Sequence, residues 1–190
     1  MIKPLRIDLP LVPVAIVAAL LAMALLLGPA AAPGQAATCR NGDTAGYKLS
    51  ADTARKATLC LINKQRRSHG LGSLRSDERQ QEAAGKHTRL MVDRRCFDHI
   101  CAGERDLVGR IIASGYLPCL CSWGVGENIA WGGGRLSSPR KIVAAWMNSG
   151  PHRANILNRS FDEIGIGVAH RSPTGLRDAA TYTTDFGYKR

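Results

Sequence analysis

Two histidines and one glutamate are the residues of this chain best suited to chemistry. His99 stands in Cys96-Phe97-Asp98-His99, Glu127 in Gly126-Glu127-Asn128-Ile129-Ala130-Trp131-Gly132, and His152 in the segment from Trp146 to Leu157. Two imidazoles and a carboxylate match the ligand types and number of an open divalent-metal site, and they also suit general acid/base work. Pro151 favours the first turn of a helix. A histidine next to it feels the positive end of the helix dipole, which keeps the ring neutral, the state a metal requires. Glu127 alternates with Ile129 and Trp131 on one strand face, where a carboxylate needs a metal, a histidinium or an arginine beside it. His99 falls just past a helix, among cysteines able to pin its loop. The plainer alternative is a buried histidine–glutamate hydrogen bond that ties two loops together.

Other polar residues read less sharply. His87 lies on an apolar helix face and reads as a core histidine, while His69 and His170 read as loop or surface residues. Ser149 fits a helix cap before Pro151 better than a nucleophile. The chain has no G-x-S-x-G elbow and no H-E-x-x-H zinc motif.

The elements that must position these groups follow from periodicity. Thr53–Arg67 places Ala54, Ala57, Leu61 and Ile62 at helical spacing and ends at Gly70 and Gly72. Ser76–Arg94 predicts a second helix with Ala83, Ala84, His87, Leu90 and Met91 on one face. Asp77 caps it, with Gln80 in the capping-box position. Asp106–Ser114 predicts a short helix carrying Leu107, Ile111 and Ile112. Val125–Trp131 reads as a strand broken by Gly132-Gly133-Gly134. Pro139 opens a helix with Ile142, Val143 and Trp146 inward, and a turn of helix starts at Pro151. Ile164, Ile166 and Val168 alternate with Gly165 and Gly167, a strand with one bulky face and one bare face fit for close packing. Thr181–Phe186 is β-branched and aromatic, also strand-like. Helices come first and strands last, so the class is α+β.

The start of the chain reads as an export signal: Lys3 and Arg6, an apolar run from Val14 to Leu27, then a small-x-small site at Gly34-Gln35-Ala36. The run is shorter than the roughly 20 residues of a spanning helix, so an uncleaved anchor is the lesser reading. The expected organisation is a signal over 1–37, a tail or linker over 38–52, and one domain over 53–190, secreted or held at the outer face of the envelope. Six cysteines then make sense as disulfides in an oxidising compartment. The spacing suggests Cys39 with Cys60, and bridges joining Cys96 and Cys101 to Cys119 and Cys121. The formal charge of +11 favours an anionic envelope polymer or lipid as partner. The basic residues are scattered and no aromatic-rich RNA signature accompanies them, so nucleic acid is not expected.

Phe97-Asp98-His99, Gly126 to Ala130, Trp146 to Leu157, Ile164 to Val168 and Tyr182 to Gly187 occur in this order. Together they resemble the CAP superfamily of cysteine-rich secretory proteins, insect-venom antigens and plant pathogenesis-related proteins, in its bacterial secreted SCP-like branch. The resemblance spans roughly residues 53–188. It implies a three-layer α-β-α sandwich with a central antiparallel sheet, and a cleft in which His99, Glu127 and His152 hold zinc or another divalent cation. No organic cofactor is expected. Animal members often add a second glutamate on the helix after the Gly-Glu-Asn strand, and here Pro139 to Asn148 carries no acid. With no second acid in view, a non-enzymatic binding or effector protein is the leading reading. The alternatives are a metal-assisted hydrolase of peptide or wall polymer, with Glu127 as general base, and a lipid or sterol carrier.

Overall fold

A computed structural model describes residues 38–117 and 122–190. The leader, Cys119 and Cys121 lie outside the described residues. Among those described, no helix is long and apolar enough to cross a membrane.

Helix α1 spans Ala51–Ser68. The Ser50 hydroxyl accepts from the Thr53 N–H, Asp52 lies in the first turn, and Arg66 and Arg67 lie in the last, each matched to the helix dipole. Its expected apolar stripe, Ala54, Ala57, Leu61 and Ile62, is buried. Residues Arg75–Ser76 form a short strand, β1, and Glu78–Asp93 forms α2. Asp77 caps α2 by accepting from the N–H groups of Arg79 and Gln80. Its own N–H goes to Ile164 O, so the reciprocal half of the capping box is replaced by a bond to the sheet. Then come α3 (Leu107–Ala113, capped by Asp106), β2 (Trp123–Gly133), α4 (Pro139–Met147), α5 (Gly150–Ile156), β3 (Glu163–His170) and β4 (Ala179–Lys189).

The strands form one sheet in the order β1-β3-β4-β2. β4 pairs antiparallel with both β2 and β3, and β1 adds a parallel edge pair to β3. The two faces of β3 divide the core. Ile164, Ile166 and Val168 pack with Ile62, Trp146 and Phe186 beneath α1 and α4. The bare face lies against α2 so closely that a Cβ on Gly165 would stand 2.0 Å from the Gln80 carbonyl carbon, and one on Gly167 would stand 2.3 Å from Ala84 O. Helices α2 and α3 therefore form one layer, the sheet the second, and α1, α4 and α5 the third. This is the α-β-α sandwich expected from the sequence.

Two expectations need correction. The segment over 38–52 is not a loose linker: Cys39–Arg190 is one compact unit. Cys39 bonds to Cys60, and Gly46 N donates to the buried Ser137 hydroxyl. Closing that loop contributes about 3 kcal/mol in the chain-entropy picture. Cys96 and Cys101 are not joined to Cys119 and Cys121; they bond to each other and close the loop that carries His99.

Candidate functional site

Strand β2 lies at the sheet edge, and the site is built around it. Glu127 is in register with Asp185 of β4, so both side chains point into the α2–α3 layer. On the other side, α5 and α4 cover the open edge of β2. Asn155 Nδ2 donates to Glu127 O at 3.1 Å, and the Trp146 indole N–H donates to Ile129 O at 3.1 Å. These bonds blunt the edge against further strand pairing. Asn128 Nδ2 donates to the backbone carbonyl of His152 at 3.0 Å, fixing the start of α5 against the strand.

Glu127 is nearly buried and both of its oxygens are engaged. His99 Nδ1 stands 2.7 Å from Oε1, and Arg110 Nη2 donates to Oε2 at 2.5 Å. Burial works against the carboxylate, but the His99 hydrogen bond and the Arg110, His87 and His99 charges outweigh it, holding its pKa below the usual range. The same hydrogen bond raises the His99 pKa. It also sets the tautomer: Nδ1 carries the proton toward Glu127, and Nε2 is turned outward on a ring whose side chain is 53% exposed. His152 sits half-buried on α5. Its pKa is lowered by burial first and by the His99 charge second, so the two rings feel each other across the edge of β2. Ser149 occupies the N-cap position of α5, but its hydroxyl makes no capping bond.

Behind this front lies a buried polar network that sequence reasoning missed. Arg110 Nη1 donates to His99 O at 2.9 Å and lies 3.6 Å from Glu104 Oε2. His87 has no exposed side-chain surface. Its Nδ1 meets Glu104 at 2.9 Å and its Nε2 lies 3.8 Å from Glu127 Oε2. His87 is thus a core histidine, as expected, but one wired to the site. Two further acids, Glu104 and Asp185, join this network behind Glu127, but neither lines the cleft, so they do not stand in for the second cleft glutamate. A cleft of about 270 Å³ opens in front, lined by His99, Ile100, Asp106, Leu107, Val108 and Glu127. His152 is not in that lining. No three His, Cys, Asp or Glu side chains converge at metal-binding positions among the described residues.

Asp185 is fully buried and neither carboxylate oxygen accepts a hydrogen bond. Burial, then the Glu127 charge, pushes its pKa well above the carboxylate range, favouring the protonated form. A carboxyl group with a raised folded-state pKa binds its proton more tightly in the fold. Stability is therefore full below the unfolded pKa of about 4 and declines as pH rises toward the folded value. Asp185→Asn has no such proton to lose. We expect it to match the parent in thermal denaturation at pH 4 and to exceed it increasingly toward pH 8; a gap that does not change with pH would refute the assignment.

A family profile described as CAP, the Cysteine-rich secretory protein family, matches residues 59–184. The chain belongs to this family. The CAP chain is 32% identical over 133 residues to the uncharacterized protein YkwD of Bacillus subtilis, across 67% of its own length and 47% of that relative's. It thus spans about half of that relative. Among solved structures, an outer surface protein from Borrelia burgdorferi superposes with a TM-score of 0.63 at 20% identity, over 76% of this chain and 99% of that one, a likeness of fold. An extracellular SCP-domain protein from Bacillus anthracis does so with a TM-score of 0.56 at 26% identity, over 73% of this chain and 43% of that one. The α-β-α arrangement of this CAP domain is therefore that of its bacterial relatives.

Proposed function

We propose that this CAP protein is an exported, non-enzymatic binding protein that holds a divalent cation, zinc being the first candidate, between His99 Nε2 at the cleft and the His152 ring beside it. The observation that carries the reading is the double engagement of Glu127. A carboxylate held by His99 and Arg110, with a lowered pKa, is a weak base, whereas a general base works best with a pKa near the operating pH. The same engagement suits an orienting partner, since a carboxylate behind a metal-binding histidine fixes its tautomer and raises its ligand strength. Two imidazoles leave the ion's remaining positions open to a ligand from solution. Ile100, Leu107 and Val108 give such a ligand an apolar wall.

Export is supported by the leader reading, by the two disulfides and by the extracellular description of the Bacillus anthracis relative. A formal charge of +11 favours an anionic envelope polymer or lipid as the surrounding partner.

Zinc titration by calorimetry at neutral pH tests the reading. The parent should take up one equivalent. His99→Ala and His152→Ala should each abolish binding, and Glu127→Gln should weaken it roughly 10–100-fold. Equal binding in all four proteins, or none in the parent, would reduce the cluster to a structural hydrogen-bond network.

A further inference from the structure

Away from the His99 cleft, three arginines line one cavity. Arg95 follows the end of α2, and Arg171 and Arg177 belong to the loop that joins β3 to β4. With Val92, Asp93 and Gly175 they line a space of about 360 Å³, within the roughly 300–1,000 Å³ range of small-molecule sites. None of the three arginines makes an ion pair with a carboxylate among the described residues, although other surface arginines do, as Arg75 and Arg140 show. Asp93 is the one acid in the lining.

The plain explanation is that these arginines balance Asp93 and the negative end of α2. That end amounts to about half an elementary charge. Together with Asp93 it offsets about half of what three guanidinium groups supply, so a surplus of positive charge is left facing the cavity.

The backbone adds a second, independent observation. Among the described residues only three non-glycines have positive φ, and two of them are Arg95 (52°) and Arg171 (96°). At Arg95 the left-handed turn is the one that ends α2, with Cys96 N–H bonded to Met91 O and Arg95 N–H to Val92 O; Arg171 ends no helix, and a side-chain-bearing residue holds such a conformation only where its surroundings impose it. Cys96, next to Arg95, is also clamped by its disulfide to Cys101. Arg171 is held on both sides, by its N–H to Ala179 O and by the Thr181 hydroxyl to its carbonyl. Between the two loop arginines, the fully buried Ser172 organises the turn: its N–H donates to Leu176 O, and its hydroxyl accepts from Leu176 N at 2.9 Å. The arginines are thus presented from an ordered frame.

We infer that this cavity is a binding site for a phosphate-bearing anion. Guanidinium forks match phosphate oxygens two at a time. Three of them around one space suit a group with more acceptor oxygens than the two of a planar carboxylate. The inference deepens the reading of the basic surface as facing an anionic partner and rests on that reading; it does not depend on a metal in the His99 cleft.

The test is titration of inorganic phosphate into the full chain, in metal-free buffer of low ionic strength, followed by calorimetry and by amide shifts of the β3–β4 loop. Saturable binding should weaken at least tenfold in Arg177→Gln and in Arg171→Gly, and by less than twofold in Arg159→Gln, which removes the same charge from an exposed position outside the cavity. Arg171→Gly should also raise Tm, because glycine takes φ near 96° without strain, so its loss of binding cannot be laid to misfolding. Equal weakening in Arg159→Gln and Arg177→Gln would reduce the effect to diffuse charge and overturn the site. So would a stabilised Arg171→Gly with unchanged phosphate affinity. Phosphatidylglycerol vesicles, against phosphatidylcholine, identify the source. Arg177-dependent vesicle binding points to a lipid headgroup, and phosphate binding with indifferent vesicles points to a soluble or polymer-borne phosphate; both uphold the site. Failure here leaves the zinc result standing, and failure of zinc binding leaves this one standing.

Discussion

Arg110→Met should destabilise the protein by about 3–5 kcal/mol, the range for removing one partner of a buried ion pair. The side chains of Arg110 and Glu127 are 7% and 3% exposed, so neither charge has much water to fall back on. Without the guanidinium, Glu127 and Glu104 share the network with Asp185 behind, and only the His87 and His99 rings remain to offset them. The His99 carbonyl and the Arg105 carbonyl also lose their donor, so the loop that presents His99 loosens together with the core. Urea denaturation measures the loss. The double variant Arg110→Met with Glu127→Gln should recover a good part of it, since the uncompensated carboxylate is then gone. A loss under about 1 kcal/mol for the single variant would mean that the pair is solvated and is not the anchor described here.

The second large effect belongs to Gly165→Ala. A methyl group there meets the Gln80 carbonyl carbon at 2.0 Å and Gln81 N at 2.2 Å, both backbone atoms of α2 that no rotamer change can move aside. The helix must lift from the sheet, or the strand must bend away from it. Overpacking usually costs about 1–3 kcal/mol and more when backbone must shift, so the expected loss is about 3 kcal/mol or more. Gly150→Ala is the natural control, with no atom within 4 Å of the added carbon and a helical position that favours alanine. Thermal denaturation of the two variants should separate by roughly ten degrees. Similar melting points would mean that α2 sits on a soft contact.

The glycine alternation shows why so much of the fold was readable in the chain. Gly165 and Gly167 between Ile164, Ile166 and Val168 announce a strand with one face pressed against backbone, and α2 fills that role. The cap Asp77, the start at Asp106 and the prolines at 139 and 151 mark helix starts closely, because each satisfies or spares an N–H at a helix end, whereas the Ser50 cap, ahead of the predicted start at Thr53, went unread. The front of the site, His99 on Glu127, was also legible. The rear was not. Arg110 lies three residues after Leu107 and one before Ile111, on the inward face of α3, yet a charge in a short helix reads as solvated. Of the apolar residues of this helix, Ile111 is buried and Ile112 is 53% exposed. An arginine at apolar spacing in a helix was the available signal for a buried counter-charge. Asp185 gave a similar signal, an acid inside a β-branched and aromatic run. The Cys96–Cys101 pairing was hidden for a different reason: a local bridge closes only the His99 loop, whereas a bridge between distant clusters looked more useful for a domain of this size.

The strand order carries a consequence for how the chain is made. β4 lies between β3 and β2 and is the strand to which both are zipped. A nascent chain that stops before Ala179 has β3 paired with only two residues of β1 and β2 paired with nothing. The α2 layer then has no complete surface to rest on. Folding is therefore withheld until translation has delivered the final strand, because the contacts that close the sheet are long in sequence separation. A polypeptide whose β4 has not yet emerged from the ribosome therefore stays open.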